Sequence, residues 1–153
     1  MMKLKMTANK GFTLVEVLVT VGILAFVLSG LLAMYVNLFL LGDINRQTTL
    51  ANNSAQARIE EIRNTNFDNL PALNGTVFDI TGFGAGSAKG RVEVSNTSYS
   101  DLRLVRVVVS FKQKGSMIIG EDTNLNGVLD GGEDVNANGR LDSSIEIVTL
   151  ISR

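Results

Sequence analysis

Apolar residues fill almost every position from residue 17 to residue 41, and the only polar side chains in that run are those of Thr20, Ser29, Tyr35 and Asn37. At 1.5 Å per residue a helix of this length reaches roughly 37 Å, enough to cross the ~30 Å hydrocarbon core of a bilayer. The chain then becomes polar, but small or apolar residues still recur at helical steps: Ile44, Thr48, Ala51, Ala55, Ile59 and Ile62. The pattern predicts one long helix from about Phe12, transmembrane first and amphipathic afterwards.

The second half of the chain has the short, β-branched runs typical of strands. We predict strands at residues 76–80, 91–95, 102–112, 117–119 and 145–151, with Val105, Val107, Val109 and Phe111 on one face of the strongest. Residues 64–75 hold turn formers and are predicted to be a loop, and the glycine-rich segment 82–90 is predicted to be a mobile connection. A helix followed by a run of strands indicates an α+β fold, with the long amino-terminal helix packed on a small antiparallel sheet.

The charges before the apolar run predict how the chain is oriented across the membrane. Lys3, Lys5 and Lys10 precede the apolar run without any acid, so the positive-inside rule places the leader in the cytoplasm and the rest of the chain outside it. A secretory signal peptide would have a shorter apolar region followed by a small-residue cleavage site, whereas here Gly11 precedes a long one. There is no cysteine to restrain an exported domain and no histidine. Because the commonest catalytic bases and nucleophiles are absent, we do not expect an enzyme.

Glu16 is an acid at the start of the membrane segment. A carboxylate at full membrane depth costs roughly 2.5 kcal/mol or more, so it is expected to have a partner. The alternative is a plain membrane anchor in which Glu16 reaches the membrane edge.

The sequence KGFTLVE at residues 10–16 resembles the prepilin cleavage and methylation site of type IV pilins and type II secretion pseudopilins. The resemblance implies that a prepilin peptidase and N-methyltransferase cuts after Gly11 and methylates the new terminal Phe12. It also implies a filament in which the amine of one subunit neutralises Glu16 of the next. The implied partners are other pilin or pseudopilin subunits, the processing enzyme, an inner-membrane assembly platform and membrane lipid.

The later strands refine this resemblance. The stretch 102–111, together with the closing strand at 145–151, is similar to the paired strands that end minor pilins and pseudopilins of the PilV and GspI types. The implied domains are a cleaved leader at 1–11, a transmembrane and filament-core helix at 12–42, and a head at 43–153. The head would lie outside the cytoplasm, in a periplasmic or extracellular filament after assembly. A type IV pilus and a type II secretion system both remain open, as does the position of the subunit in the filament.

An acidic, asparagine-rich segment precedes the last strand and contains a twelve-residue repeat. Each copy has oxygen side chains at its first, third, fifth and ninth positions and glycine at the sixth, which is the spacing of a calcium loop. The predicted ligands, counting backbone carbonyls at position seven, are Asp122, Asn124, Asn126, Val128, Asp130, Glu133, Asp134, Asn136, Asn138, Arg140 and Asp142.

The two copies differ at their twelfth position. The first copy ends in Glu133, a bidentate closing ligand, whereas the second has Ile145 there. The last ligand of the second copy is therefore Glu146, a residue from elsewhere in the chain, or water. Glu133 and Asp134, at the junction, are candidates for shared ligands. We predict that residues 121–146 form a calcium loop that binds one or two ions; the alternative is a solvated turn region without metal.

Three functions follow from these features. The first is a structural and assembly subunit with a calcium-stabilised head. The second is a calcium-dependent adhesin or binding module displayed by the same anchor, which would need an exposed recognition patch that the sequence does not identify. The third, DNA capture, would need a basic stripe, and Arg103 and Arg106 fall on opposite faces of a strand. We therefore expect no nucleic-acid partner.

Overall fold

A computed structural model describes residues 11–113 and 116–153, so the three leader lysines lie outside the described residues. The chain divides into two compact units, Met1–Leu41 and Gly42–Arg153. Helix α1 runs over Leu14–Arg63, and its most apolar 18-residue window has a mean hydropathy of 2.6 and no buried residues. By length and composition this helix can cross a membrane, which agrees with the predicted transmembrane helix.

The second half of α1 presents the predicted apolar stripe to the core of the Gly42–Arg153 unit. Ala51, Ala55, Ile59 and Ile62 are all buried there. After the helix, Asn66 accepts the N–H of Asp68 at 3.0 Å and starts a 3₁₀ helix at Phe67–Leu73. The predicted loop at 64–75 therefore contains a short helical segment, whose Leu70 is fully buried.

The strands form one antiparallel sheet. They are β1 (Val77–Asp79), β2 (Ala88–Asn96), β3 (Leu102–Lys112), β4 (Ile118–Ile119) and β5 (Ile145–Ser152). β3 is central, because it pairs along its length with β2 on one side and with β5 and β4 on the other. The α+β architecture predicted from the sequence, a long helix packed on a small antiparallel sheet, is confirmed.

The glycine-rich segment is only partly a connection. Ala88, Lys89 and Gly90 belong to β2, so the prediction of a mobile connection up to residue 90 was wrong at its end. The reason is steric: a Cβ atom on Gly90 would lie 2.2 Å from the ring of Phe78 on β1. Glycine at this position lets the ring of Phe78 approach the backbone of the neighbouring strand closely.

Both faces of β3 are buried. Val105, Val107 and Val109 belong to the core shared with α1, as the alternation predicted. Arg106 and Val108 on the opposite face are also buried, at 4% and 2% exposure. Residues 120–143 form a cover over that second face; Ser143 Oγ, for example, donates to the carbonyl of Val109 at 2.6 Å. The acidic repeat therefore packs on the sheet opposite the helix.

Candidate functional site

The amino-terminal segment holds the first set of candidate residues. Gly11 and Phe12 are exposed and precede α1. Thr13 caps the helix: the N–H of Glu16 donates to Thr13 Oγ1 at 3.3 Å, and the N–H of Thr13 donates to Glu16 Oε2 at 3.4 Å. This reciprocal pattern is a capping box, which satisfies two backbone donors at a helix start. The Glu16 carboxylate thus has a partner within its own chain before any neighbour arrives.

The first copy of the acidic repeat folds into a tight loop. Asp122 is 1% exposed, and its carboxylate accepts the N–H groups of Asn126 at 3.0 Å and Gly127 at 2.7 Å. The side-chain amides of Asn124 and Asn126 converge on Asp130 at 2.7 and 2.8 Å. The four side chains of Asp122, Asn124, Asn126 and Asp130 were predicted as ligands, and the structure brings them together.

The second copy repeats this geometry. The carboxylate of Asp134 accepts the N–H groups of Asn138 at 2.9 Å and Gly139 at 2.8 Å, and the side-chain amides of Asn136 and Asn138 converge on Asp142. The backbone repeats as well. Leu125 and Ala137 both have φ of 57°, and Gly127 and Gly139 both have φ of 77°. The residues at position seven occupy the same turn, with the N–H of Val128 bound to Asn126 and that of Arg140 bound to Asn138.

A glutamate closes each loop: Glu133 follows the loop that it closes, whereas Glu121 precedes both loops and closes the second. Glu133 accepts the N–H groups of Thr123 at 2.8 Å and Asp130 at 3.0 Å, at the second and ninth positions of the first loop. In the second loop the equivalent N–H groups belong to Val135 and Asp142, and both donate to Glu121, at 3.2 and 3.0 Å.

Glu121 therefore takes in the second loop the role that Glu133 takes in the first, and sequence reasoning missed it. The repeat unit is Glu-Asp-x-Asn-x-Asn-Gly, so Glu121 precedes the first loop as Glu133 precedes the second. Each glutamate precedes one loop and closes the other. A search for the repeat that began one residue earlier would have found this signal. Asp134, at the junction, accepts hydrogen bonds only within the second loop among the described residues.

Glu146, the other candidate for closing the second loop, is engaged elsewhere. It accepts Nε of the buried Arg106 at 2.6 Å. The same guanidinium donates to Glu93 at 2.7 Å, to the carbonyl of Leu141 at 2.9 Å and to Asp142. Arg106 therefore ties β2, β3 and β5 to the second loop. Desolvation opposes its charge, but hydrogen bonds to Glu146 and Glu93 outweigh burial and raise its pKa.

The loop carboxylates have shifted pKa values. Burial raises the pKa of Asp122 despite the N–H groups of Gly127 and Asn126. The amides of Asn124 and Asn126 lower the pKa of Asp130. For Glu133 desolvation is the largest influence, but hydrogen bonds led by that of the Thr123 hydroxyl outweigh it and lower the pKa.

Asp142 also has a lowered pKa. The Asn136 amide is the main cause, burial opposes it, and Asn138 and Arg106 add to the lowering. The lowered values at Asp130, Glu133 and Asp142 favour the ionised form, which is the form that a divalent cation binds.

The two loops could hold a hard cation only if carboxylate, asparagine and backbone carbonyl oxygens all served as ligands. Among residues 11–113 and 116–153, no three acidic, histidine or cysteine side chains form a group that could hold a metal ion. An ion in either loop would therefore depend on asparagine and backbone carbonyl oxygens together with the carboxylates. Calcium uses this mixture, taking six to eight oxygens with flexible geometry, whereas magnesium demands a stricter octahedron.

Residues 6–32 match the family model described as the prokaryotic N-terminal methylation motif. No curated protein and no solved structure matches the chain. The motif covers Gly11, Phe12 and Glu16 and leads into an apolar helix that suits membrane anchoring. It implies processing by a prepilin peptidase and assembly with other pilin subunits, which is a structural role. The chain thus carries a type IV pilin-like prepilin signal at its amino terminus.

Proposed function

We propose that this chain is a minor subunit of a type IV pilus or a type II secretion pseudopilus, with a head domain that calcium stabilises. The observation that carries the filament role is the methylation motif at residues 6–32, directly before a helix that buries none of its most apolar window. The minor role rests on the pairing of β3 with β5, the strands that resemble the end of minor subunits.

Filament register is the function of Glu16 in this proposal. After cleavage the amine of Phe12 is cationic, and Glu16 lies four residues further on, about one helical turn. If subunits stagger by a few residues, the amine of one subunit pairs with Glu16 of the next. A misregistered neighbour would leave both charges unpaired away from water, which is strongly unfavourable.

The filament role is tested by processing and by location. Replacing Gly11 with Val should leave the leader attached, and the chain should stay in the membrane and be absent from sheared filaments. Mass spectrometry of the wild-type chain should find a methylated Phe12 as the first residue. Quantitative proteomics of the filaments should find this chain at far lower abundance than the main subunit. An equal share would make it a major subunit and contradict the minor role.

Calcium binding is proposed for both loops. In the first, the ligands are Asp122, Asn124, Asn126, the carbonyl of Val128, Asp130 and Glu133. In the second, Asp134, Asn136, Asn138, the carbonyl of Arg140 and Asp142 are completed by Glu121 rather than Glu146. The shared hydrogen-bond pattern and matching φ angles of the two loops support a pair of similar sites.

The role of the ions would be to hold the cover in place. Residues 120–143 contain no regular strand or helix, yet they bury one face of β3. A segment held mainly by turns opens more easily than the sheet beneath it. Ions bound in both loops would stabilise the cover and the start of β5, a role that disulfides fill in other exported domains.

Chelation tests the calcium proposal. At a calcium concentration one hundredfold above Kd, one site adds about 2.7 kcal/mol to the free energy of unfolding. For a domain of this size that corresponds to roughly 10 °C or more in Tm. A thermal scan of the fragment 42–153 should show this loss on adding chelator and its recovery with calcium but not with an equal concentration of magnesium. A Tm that does not change on adding chelator would refute calcium binding.

The neighbouring genes would distinguish a type IV pilus from a type II secretion pseudopilus. A secretin and a secretion ATPase encoded beside exported enzymes would favour the pseudopilus. A retraction ATPase and a major pilin nearby would favour the pilus.

A further inference from the structure

A polar pocket in the Gly42–Arg153 unit brings the start of this unit's helical segment together with two loops of the sheet. It has a volume of about 470 Å³. Its wall includes Arg46 and Gln47 of α1, Phe83 and Ser87 before β2, and Lys112 at the end of β3. Neither the methylation motif nor the acidic repeat contributes a residue to it.

Two basic side chains that form no ion pair with another described residue line this pocket. Most basic side chains in the described part of the chain pair with a carboxylate; examples are Arg58 with Glu61 and Arg153 with Asp68. The described exceptions are Arg103, which instead bonds Asn96, and the pair Arg46 and Lys112. Arg46 and Lys112 are both exposed and line the same pocket. Asp43 also lines it, and is engaged in an interaction of its own.

A buried acceptor adds a second requirement for a ligand. Oε1 of Gln47 is inaccessible to solvent and accepts no hydrogen bond from the described residues. A buried acceptor without a donor costs about 1–3 kcal/mol. A ligand that carried an anionic group for Arg46 and Lys112 and an N–H or O–H donor for Gln47 would satisfy all three side chains.

The position of Arg46 in the sequence indicates where such a ligand is found. Arg46 follows the end of the apolar run at Leu41 by five residues, about 7.5 Å of helix. The headgroup layer on each side of the hydrocarbon core is roughly 5–8 Å deep. In the membrane-anchored chain the Arg46 side chain therefore lies within reach of the lipid phosphates, and basic side chains near the surface attract anionic lipid.

We propose that this pocket binds the headgroup of an anionic phospholipid such as phosphatidylglycerol. The lipid phosphate lies between Arg46 and Lys112. Gln47 lines the pocket, and a rotation of its terminal amide exposes Oε1 to a donating glycerol hydroxyl of the headgroup. The pocket would hold the head against the membrane before assembly, and the lipid would have to leave or travel with the subunit when it enters a filament. This site depends on membrane anchoring and not on calcium or on filament register.

The test is native mass spectrometry of the full chain in detergent, with phosphatidylglycerol or phosphatidylcholine added. The wild type should retain phosphatidylglycerol preferentially. Arg46→Gln combined with Lys112→Gln should weaken retention roughly thirtyfold, from the contribution of two basic side chains near a lipid surface. The matched control is Arg63→Gln with Arg153→Gln, which removes the same charge from exposed ion pairs and should retain the lipid like the wild type.

Gln47→Leu separates a binding role from a structural one. It removes the unsatisfied acceptor, so the lipid-free protein should be as stable as the wild type or more so, while lipid retention falls. Equal retention of both lipids by the wild type, or unchanged retention in the Arg46 and Lys112 variant, would overturn the proposal. Full displacement of the lipid by inorganic phosphate would also overturn it, because the pocket would then be a site for free anions. Filament incorporation, measured separately, reports on the proposed function and not on this site.

Discussion

The carboxylate of Glu121 accepts the backbone N–H of Asp142 at 3.0 Å, across a separation of 21 residues. Glu133, which precedes the second loop, makes the equivalent bond to Asp130 of the first loop, also at 3.0 Å. The two loops are therefore closed by exchange, since each glutamate adjoins one loop and serves the other. This exchange links the loops, and an ion bound in one would help to order the glutamate that closes the other.

Replacing Glu121 with Gln tests the exchange. We expect calorimetry to find two ions in the wild type, and Glu121→Gln to weaken the second ion roughly 10- to 100-fold, as removal of a supporting group does in other metal sites. Glu133→Gln should weaken the ion of the first loop instead. Glu146→Gln is the control, because that carboxylate binds Arg106, and it should leave both ions in place. Loss of the second ion in the Glu146 variant alone would assign the closing ligand to Glu146.

Arg106 is predicted to be the main electrostatic link between the sheet and its cover. Arg106→Met would leave Glu93, Asp142 and Glu146 without their shared cation. Removing one partner of a buried pair costs about 3–5 kcal/mol, and we expect the lower end because the carboxylate side chains keep 19–28% exposure. Urea unfolding of the 42–153 fragment measures the loss.

The control for Arg106 is Arg153→Met, whose ion pair with Asp68 is exposed on both sides. It should cost about 0–1 kcal/mol. Equal costs for the two variants would mean that the network around Arg106 contributes no more than a surface pair.

Arg106 also illustrates what the sequence could and could not predict. The alternation of valines gave the core face of β3 correctly, since that face is set by local periodicity. The same alternation does not indicate what packs on the opposite face, where Arg106 lies. The structure covers that face with residues 120–143, and Arg106 becomes their buried partner. Contacts between a strand and an irregular segment 35 residues away follow no short-range pattern.

The candidate site was predictable to the extent that it repeats. The oxygen spacing located the Asp122 and Asp134 loops, and the structure gives both the same hydrogen bonds. The closing role of Glu121 was missed because a motif read from its aspartate ignores the residue before it. The Gly90 position was missed for a different reason: the ring of Phe78 that requires it lies on another strand.

Gly127 and Gly139 provide a matched pair of substitutions. Both have φ of 77°, so alanine at either position is strained by about 1–2 kcal/mol. A Cβ atom on Gly139 would meet nothing within 4 Å, whereas one on Gly127 would lie 2.5 Å from Val77 Cγ1. Overpacking of this kind adds about 1–3 kcal/mol. Thermal unfolding should therefore show Gly127→Ala to be the more destabilising variant.

The same clash predicts a rescue. Adding Val77→Ala to Gly127→Ala removes the contacting methyl groups and should bring its Tm loss close to that of Gly139→Ala. Val77 is itself 38% exposed, so Val77→Ala alone should reduce the free energy of unfolding only slightly. If Gly127→Ala and Gly139→Ala were equally destabilising, the first loop would not pack against β1 as described.

Glu16 is predicted to exchange one partner for another during assembly. In the single chain it completes a capping box with Thr13, with contacts of 3.3–3.4 Å. The cationic amine of a neighbouring subunit can replace these contacts to the carboxylate. Glu16→Ala should therefore leave membrane insertion intact and sharply reduce incorporation into filaments, measured by comparing membrane and sheared-filament fractions. Thr13→Val is the matched control, since it loses the cap hydroxyl, at a cost of about 0.5–2 kcal/mol to the helix, but keeps the carboxylate. It should insert and incorporate normally. Undiminished incorporation of the Glu16→Ala chain would show that register is set by something other than this charge.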